Sequence, residues 1–220
     1  MKNIWQIVFF ACAALHLLGI IANVDLLIMA TKPLLMPSLM LWLWQDGKGV
    51  SPKLRNAWLI GLTFSTLGDI LLMGSGSLFF LLGLSAFLLT HISYISGTTQ
   101  GFAGSGFLKR HPGWALPFVL TPVLMLSWLW VGIPSGMRIP VTIYALVINT
   151  MVASVVNLKG RLSSPVFISM ATGALLFMLS DSLIAINKFG HPFEGERLAV
   201  MVTYIVGQWL LTRSVIRSAV

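Results

Sequence analysis

Three charged side chains lie inside long apolar runs of this chain: Lys32, Asp69 and Asp181. In a membrane, each would cost roughly 2.5–3.5 kcal/mol at the centre of a helix unless it found a partner or a water-filled cavity. Counted from the ends of their runs at 1.5 Å per residue, all three lie roughly 8–10 Å below one surface of the membrane. We therefore expect them to form one shared polar cluster.

Two carboxyl groups beside one lysine are suited to proton transfer. Neighbouring carboxylates resist double ionisation, so one of them keeps its proton at neutral pH, while a nearby ammonium favours ionisation of the other. One acid beside one base is the arrangement that general acid–base catalysis requires. The alternative is a buried ion cluster that only sets the register of the helices.

Other polar side chains approach the same layer. Those that reach it or lie about one turn deeper are Tyr144, Asn149, Tyr204 and Gln208, together with His16 on the first run. His91 and Tyr94 are three residues apart, so they share one helix face nearer the other surface, either as site residues or as a packing pair. The four histidines form no local metal motif, and the lone cysteine, Cys12, allows no intramolecular disulfide. We expect no metal and no cofactor.

The composition indicates the class of protein that holds these residues. Apolar residues make up 57% of the 220 residues and charged residues only 9%, where a soluble domain carries about 25% charged. The mean hydropathy is +0.91. So few charges exclude a soluble domain, and intrinsic disorder needs the opposite composition. The formal net charge of +8 is better explained by loops that face anionic lipid than by nucleic-acid binding.

The apolar runs predict an all-α, polytopic bundle of eight transmembrane helices, forming a single domain over residues 1–220. The runs are continuous and nearly twice as long as the strands of a β-barrel, which would have about 10 residues each. Pro33 and Pro37 should break the second span, as a simple kink or to free carbonyls beside Lys32. The predicted spans are Ile4–Ile21, Leu26–Trp44, Ala57–Met73, Leu78–Thr99, Trp114–Ile133, Ile139–Leu158, Val166–Asn187 and Leu198–Arg213.

Basic residues in the loops predict that both termini are cytoplasmic. With eight spans, one side receives ten basic residues: Lys2, Lys48, Lys53, Arg55, Lys109, Arg110, Lys159, Arg161, Arg213 and Arg217. The other side receives only Arg138, Lys188 and Arg197. We interpret the first span as an uncleaved helix; the alternative is a signal peptide, but its candidate cleavage site comes too early.

A weak internal similarity relates two of the spans. Residues 67–71 read Leu-Gly-Asp-Ile-Leu, and residues 179–183 read Leu-Ser-Asp-Ser-Leu. Both spans run outward in the predicted topology, so a parallel duplication of four helices is one explanation. The alternative is chance, because five similar residues recur easily in apolar sequence.

Several motifs together resemble the YhhN family of membrane proteins. They cover nearly the whole chain, and spans two to four, seven and eight carry the specific part. The motifs are Lys32-Pro33, residues 68–72 (GDILL), residues 87–94 (FLLTHISY), residues 173–182 (GALLFMLSDS), and Tyr204 with Gln208.

This resemblance implies an eight-helix bundle with both aspartates inside it. We expect the protein in the inner membrane of a bacterium. The resemblance also implies a lysoplasmalogenase-like activity, which hydrolyses the vinyl ether bond of lysoplasmalogens to a fatty aldehyde and a glycerophospho-alcohol. Asp69 and Asp181 are then the catalytic candidates, and the partners are a lysophospholipid from the bilayer and water. The residues implied around the aspartates are Lys32, His91, Tyr94, Ser180, Tyr204 and Gln208.

The chemistry suits two aspartates. Vinyl ether hydrolysis needs an acid that protonates the β-carbon, a carboxylate that stabilises the oxocarbenium ion, and a base for water. Lys32 either binds a phosphate or holds one aspartate ionised. A proton-coupled transporter would also place Asp and Lys inside a bundle, but one shallow charged layer favours a site open to one side.

Overall fold

The computed structural model of this chain describes residues 4–102 and 104–218. Lys2, which enters the orientation argument, lies outside the described residues. The regular structure of the described residues is helical throughout, which confirms the all-α prediction. The chain divides into two compact units. One comprises the residues up to Gly101 together with those from Thr212 onward, and the other is Phe102–Leu211. The single domain expected over residues 1–220 stays a prediction.

Four long helices form the first unit: α1 (Ile4–Ala22), α2 (Asp25–Asp46), α3 (Pro52–Leu71) and α4 (Ser77–Gln100). The second unit contains a short helix, α5 (Phe107–Arg110), then α6 (Leu116–Leu129), α7 (Ser135–Val156) and α8 (Ser164–Phe189). The last helix, α9 (Glu196–Arg217), begins in the second unit and ends in the first.

Each of the eight predicted spans falls on one of the eight long helices. Among the described residues, seven helical segments are long and apolar enough to cross a membrane, and α3 is not one of them. The reason lies in its composition, since α3 carries Lys53, Arg55 and Asp69 within 20 residues. The count of eight spans and the cytoplasmic termini therefore stay predictions.

The expected break in the second span does not occur, and the simple kink given as the alternative stays a prediction. Helix α2 continues through both Pro33 and Pro37 from Asp25 to Asp46. Each proline lacks an amide hydrogen and so removes one hydrogen bond within the helix. Transmembrane helices tolerate this loss, because side-chain hydroxyls and small local adjustments satisfy the freed backbone groups.

Close packing of α3 against α4 depends on glycine in the first unit. A β-carbon added at Gly68 would lie 2.7 Å from the Phe87 ring, and one added at Gly61 would overlap the Tyr94 ring. Two large aromatic side chains of α4 therefore lie directly on the α3 backbone. Small residues at helix contacts are the usual means of close approach in membranes.

In the second unit, α8 and α9 approach backbone to backbone. A β-carbon at Gly173 would lie 2.8 Å from the carbonyl oxygen of Gly207, and one at Gly207 would lie 3.0 Å from that of Gly173. The Ser180 hydroxyl donates a hydrogen bond of 3.0 Å to the carbonyl of Val200, which joins the same two helices. These contacts hold the helix that carries Asp181 against its neighbour.

Candidate active site

Lys32 and Asp69 form an ion pair between α2 and α3 in the first unit. The ammonium nitrogen lies 3.9 Å from Oδ1 of the carboxylate, and the two side chains are 15% and 3% exposed. Because the pair is largely removed from water, its mutual attraction is stronger than that of a surface pair. The structure thus places two of the three predicted charged residues together.

Asp181 has a different partner in the second unit. The Tyr144 hydroxyl, on α7, donates a short hydrogen bond to Oδ2 of Asp181 on α8. Both residues are half-buried. The sequence predicted that Tyr144 reaches the depth of the aspartates, but not that it binds this one. Equal depth on two successive spans was the available signal.

The two aspartates therefore differ in burial and in partner. Asp69 is buried and lies beside an ammonium group, whereas Asp181 is half-buried and accepts a hydrogen bond from a phenol. The convergence of both carboxyl groups and Lys32 in one cavity stays a prediction. The structure shows one polar pair in each unit, and each pair joins two consecutive long helices of that unit.

Tyr94 lies in the packed interface of α3 and α4, and His91 is three residues before it on α4. Both are fully buried, and the Tyr94 ring stacks on Trp58 at 4.1 Å between centroids with 9° between the planes. The neighbouring Thr90 hydroxyl lies 3.1 Å from the carbonyl of Gly61 and 3.2 Å from the hydroxyl of Ser65. Helix α4 therefore contacts α3 both through the Tyr94 ring and through the Thr90 hydroxyl.

The remaining site residues expected from the sequence lie on α7, α8 and α9. Tyr204 is 3% exposed, and its ring meets the Phe177 ring edge-on at 5.5 Å. Gln208 is fully buried. The Asn149 amide nitrogen donates to the carbonyl of Ala145, while its buried Oδ1 accepts no hydrogen bond from the described residues.

His16 has a structural explanation. Its Nδ1 lies 3.0 Å from the Thr31 hydroxyl, which joins α1 to α2. This hydrogen bond agrees with a histidine that helps to hold two helices together. Within residues 4–102 and 104–218, no three His, Cys, Asp or Glu side chains lie close enough together to hold a metal ion.

The profile of the YhhN family matches residues 27–215, which include both polar pairs and the Tyr204–Gln208 segment. The chain belongs to the YhhN family. The resemblance inferred from the motifs is thereby confirmed. Membership and the apolar helices identify an integral, multi-pass membrane protein.

Relatives of this YhhN-family chain carry the name lysoplasmalogenase. Human lysoplasmalogenase TMEM86B is 31% identical over 180 residues, which covers 82% of this chain and 70% of the relative. The rat protein of the same name is 32% identical over 182 residues, covering 82% and 69%. Lysoplasmalogenase of Mycobacterium tuberculosis is 28% identical over 161 residues, covering 72% and 60%. No solved structure matches the chain.

Proposed function

We propose that this chain hydrolyses the vinyl ether bond of a lysoplasmalogen taken from the bilayer. The products are a fatty aldehyde and a glycerophospho-alcohol. The predicted class of enzyme, a lysoplasmalogenase-like hydrolase, is confirmed by named relatives over most of the chain. The observation that supports the mechanism is that each aspartate inside a span has a polar side chain of the preceding long helix beside it, Lys32 for Asp69 and Tyr144 for Asp181.

The reaction begins with proton transfer to carbon. A carboxylic acid gives its proton to the β-carbon of the vinyl ether, the double-bond electrons form the new C–H bond, and the ether oxygen shares the positive charge as an oxocarbenium ion. A nearby carboxylate stabilises that charge in a site of low dielectric constant. Two aspartates can supply the acid and the carboxylate.

Hydrolysis is completed by water. Its oxygen bonds to the oxocarbenium carbon while the carboxylate left by the first step accepts its proton. The resulting hemiacetal moves its hydroxyl proton to the ether oxygen, and the C–O bond breaks to release aldehyde and alcohol. Neither aspartate is consumed. Asp69 and Asp181 are the two aspartates proposed for these roles, because the sequence places both at one depth in the membrane.

Lys32 acts in this scheme through Asp69. Its ammonium group lies 3.9 Å from that carboxylate, as expected for a cation that keeps the carboxylate charged. A role as phosphate ligand predicts instead a higher KM with unchanged kcat when Lys32 is replaced. The ion pair favours the first role.

The test is aldehyde release by the purified protein in detergent from a panel of lysolipids. Asp69→Asn and Asp181→Asn keep the side-chain shape, and each should lower kcat by at least about 100-fold, the lower range for a general acid or base. Asp25→Asn is the matched control, because Asp25 is an exposed carboxylate at the start of α2. Full activity in both active-site variants would refute the aspartate mechanism.

The same preparation separates an enzyme from a transporter. Substrate flux only across sealed liposomes, with no aldehyde released in detergent, would support a proton-coupled transporter. We further propose that the protein lies in the inner membrane of a bacterium, where fractionation of the native cell should find it. Recovery with the outer membrane would contradict this location.

A further inference from the structure

The two polar pairs occupy matching positions in the two units. Tyr144 and Asp181 are 37 residues apart, and Lys32 and Asp69 have the same separation. In each unit the partner lies on one long helix and the aspartate lies on the next, α2 and α3 in the first and α7 and α8 in the second. The spacing and the order of helices therefore agree.

The helices that carry the aspartates match in two further features. Helix α3 begins at Pro52 and helix α8 at Ser164, each 17 residues before its aspartate. Gly61 and Gly173 each lie eight residues before the aspartate, and each contacts the following long helix too closely for a β-carbon. Chance similarity of a short apolar segment does not explain a shared helix start, a shared glycine contact and a shared partner position.

We propose that the chain is a duplicated four-helix unit in which Lys32 and Tyr144 are positioning residues at equivalent positions. Because one position holds a lysine and the other a tyrosine, the two aspartates have different roles in the reaction. Asp69, beside the cation, acts as the permanent carboxylate that stabilises the oxocarbenium ion. Asp181, beside the phenol, donates the proton to carbon and takes one back from water. This division rests on the proposed function.

The chemical difference between the partners gives the reason. A lysine ammonium pairs well only with a charged carboxylate, so protonating Asp69 would break the interaction. A phenol can donate to the carbonyl oxygen of a carboxylic acid, and it donates more strongly to the carboxylate that remains once the proton has left. Asp181 can therefore gain and lose a proton while the Tyr144 hydroxyl stays bonded to it. A carboxyl group that donates a proton needs a partner that binds both of its protonation states, as a phenol does. A carboxylate that stays charged needs a cation beside it, as Asp69 has in Lys32.

Kinetics of Tyr144→Phe and Lys32→Met test the division. In Tyr144→Phe, kcat should fall about 10–100-fold, the equivalent of one hydrogen bond to a charged group, with KM unchanged. The solvent isotope effect on kcat, which is kcat in H₂O divided by kcat in D₂O, should be at least as large in Tyr144→Phe as in the native enzyme. The reason is that the substitution slows the transfer of the proton to carbon. Lys32→Met should instead lose kcat on the acid side of the profile, at pH values where the native enzyme keeps its full rate, because Asp69 no longer has a cation beside it. Lys32→Arg should restore the native profile.

Two results would overturn the assignment. One is a loss of kcat on the acid side in Tyr144→Phe together with the native pH profile in Lys32→Met, which would reverse the roles. The other is a pair of variants that differ from the native enzyme only in the amount of folded protein, which would make both partners purely structural.

A measurement that needs no activity tests the two pairings themselves. The Tm shifts of Lys32→Met and Asp69→Asn should not add in the double variant, and neither should those of Tyr144→Phe and Asp181→Asn, because each pair shares one interaction. Additive shifts in either pair would refute that pairing and the proposed equivalence. If the native enzyme releases no aldehyde while the Tm shifts of the variants are non-additive in both pairs, the proposed function is refuted and the equivalence of the pairs stands.

Discussion

Replacing Gly173 by alanine tests how closely α8 and α9 approach. The new β-carbon would lie 2.8 Å from the carbonyl oxygen of Gly207 and 2.9 Å from the amide nitrogen of Leu211. Ordinary contacts of a β-carbon begin at 3.4 Å. Both neighbours are backbone atoms of α9, so no side-chain rotation can relieve the overlap, and the two helices must move apart.

The expected cost follows from two opposing effects. An additional methyl group in a well-packed interior costs about 1–3 kcal/mol, and fixed backbone neighbours place this site in the upper half, about 2–3 kcal/mol. Alanine in a helix regains about 0.5–1 kcal/mol relative to glycine. The net loss of stability is about 1–2.5 kcal/mol, which lowers Tm by about 2–10 °C for a chain of this size.

Thermal unfolding in detergent, followed by the loss of monodisperse protein, measures this effect. Gly136→Ala is the matched control, because a β-carbon there meets nothing within 4 Å in α7. Its Tm should stay the same or rise by up to about 4 °C. Gly173→Ala protein that melts at or above the native temperature would show that the backbones of α8 and α9 are not in contact.

Two further predictions concern topology and the Ser180 hydrogen bond. In a cysteine-free background, a membrane-impermeant thiol reagent applied outside intact cells should label a cysteine at Ser75 and not one at Gly160; the reverse pattern would invert the topology. Ser180→Ala removes a hydrogen bond of 3.0 Å to the carbonyl of Val200 on α9 and should cost about 0.6 kcal/mol, the average within membranes. Ser182→Ala removes only a bond within α8 and is the control; equal Tm values for these two variants would contradict a stabilising contact between helices.

The positions of the helices followed from local sequence. The predicted span Ile4–Ile21 became α1 (Ile4–Ala22), and Leu78–Thr99 became α4 (Ser77–Gln100). A continuous apolar run of about 20 residues inside a membrane must satisfy all its backbone groups internally, which leaves the helix as its structure. The effect of proline on α2 did not follow from local sequence. The helix continues through Pro33 and Pro37, because a helix in a membrane tolerates the loss of single hydrogen bonds.

The sequence also identified the residues that need partners, since an isolated charge inside an apolar run is too costly to leave alone. The depth of Lys32 and Asp69 on successive spans predicted that they would meet, and they do. The types of these residues, two aspartates and a lysine, predicted acid–base chemistry from the sequence by itself.

Depth shows which side chains can meet, but only the tertiary structure decided which of them are in contact. Helical periodicity gives the face of a residue relative to its own helix, but not the rotation of that helix against its neighbours. That rotation is set by packing between helices, such as the contact of Gly61 with the Tyr94 ring and of Gly173 with Gly207. The hydrogen bond from Tyr144 to Asp181 and the stacking of Tyr94 on Trp58 depend on it, so they appear only when the packed helices are seen together.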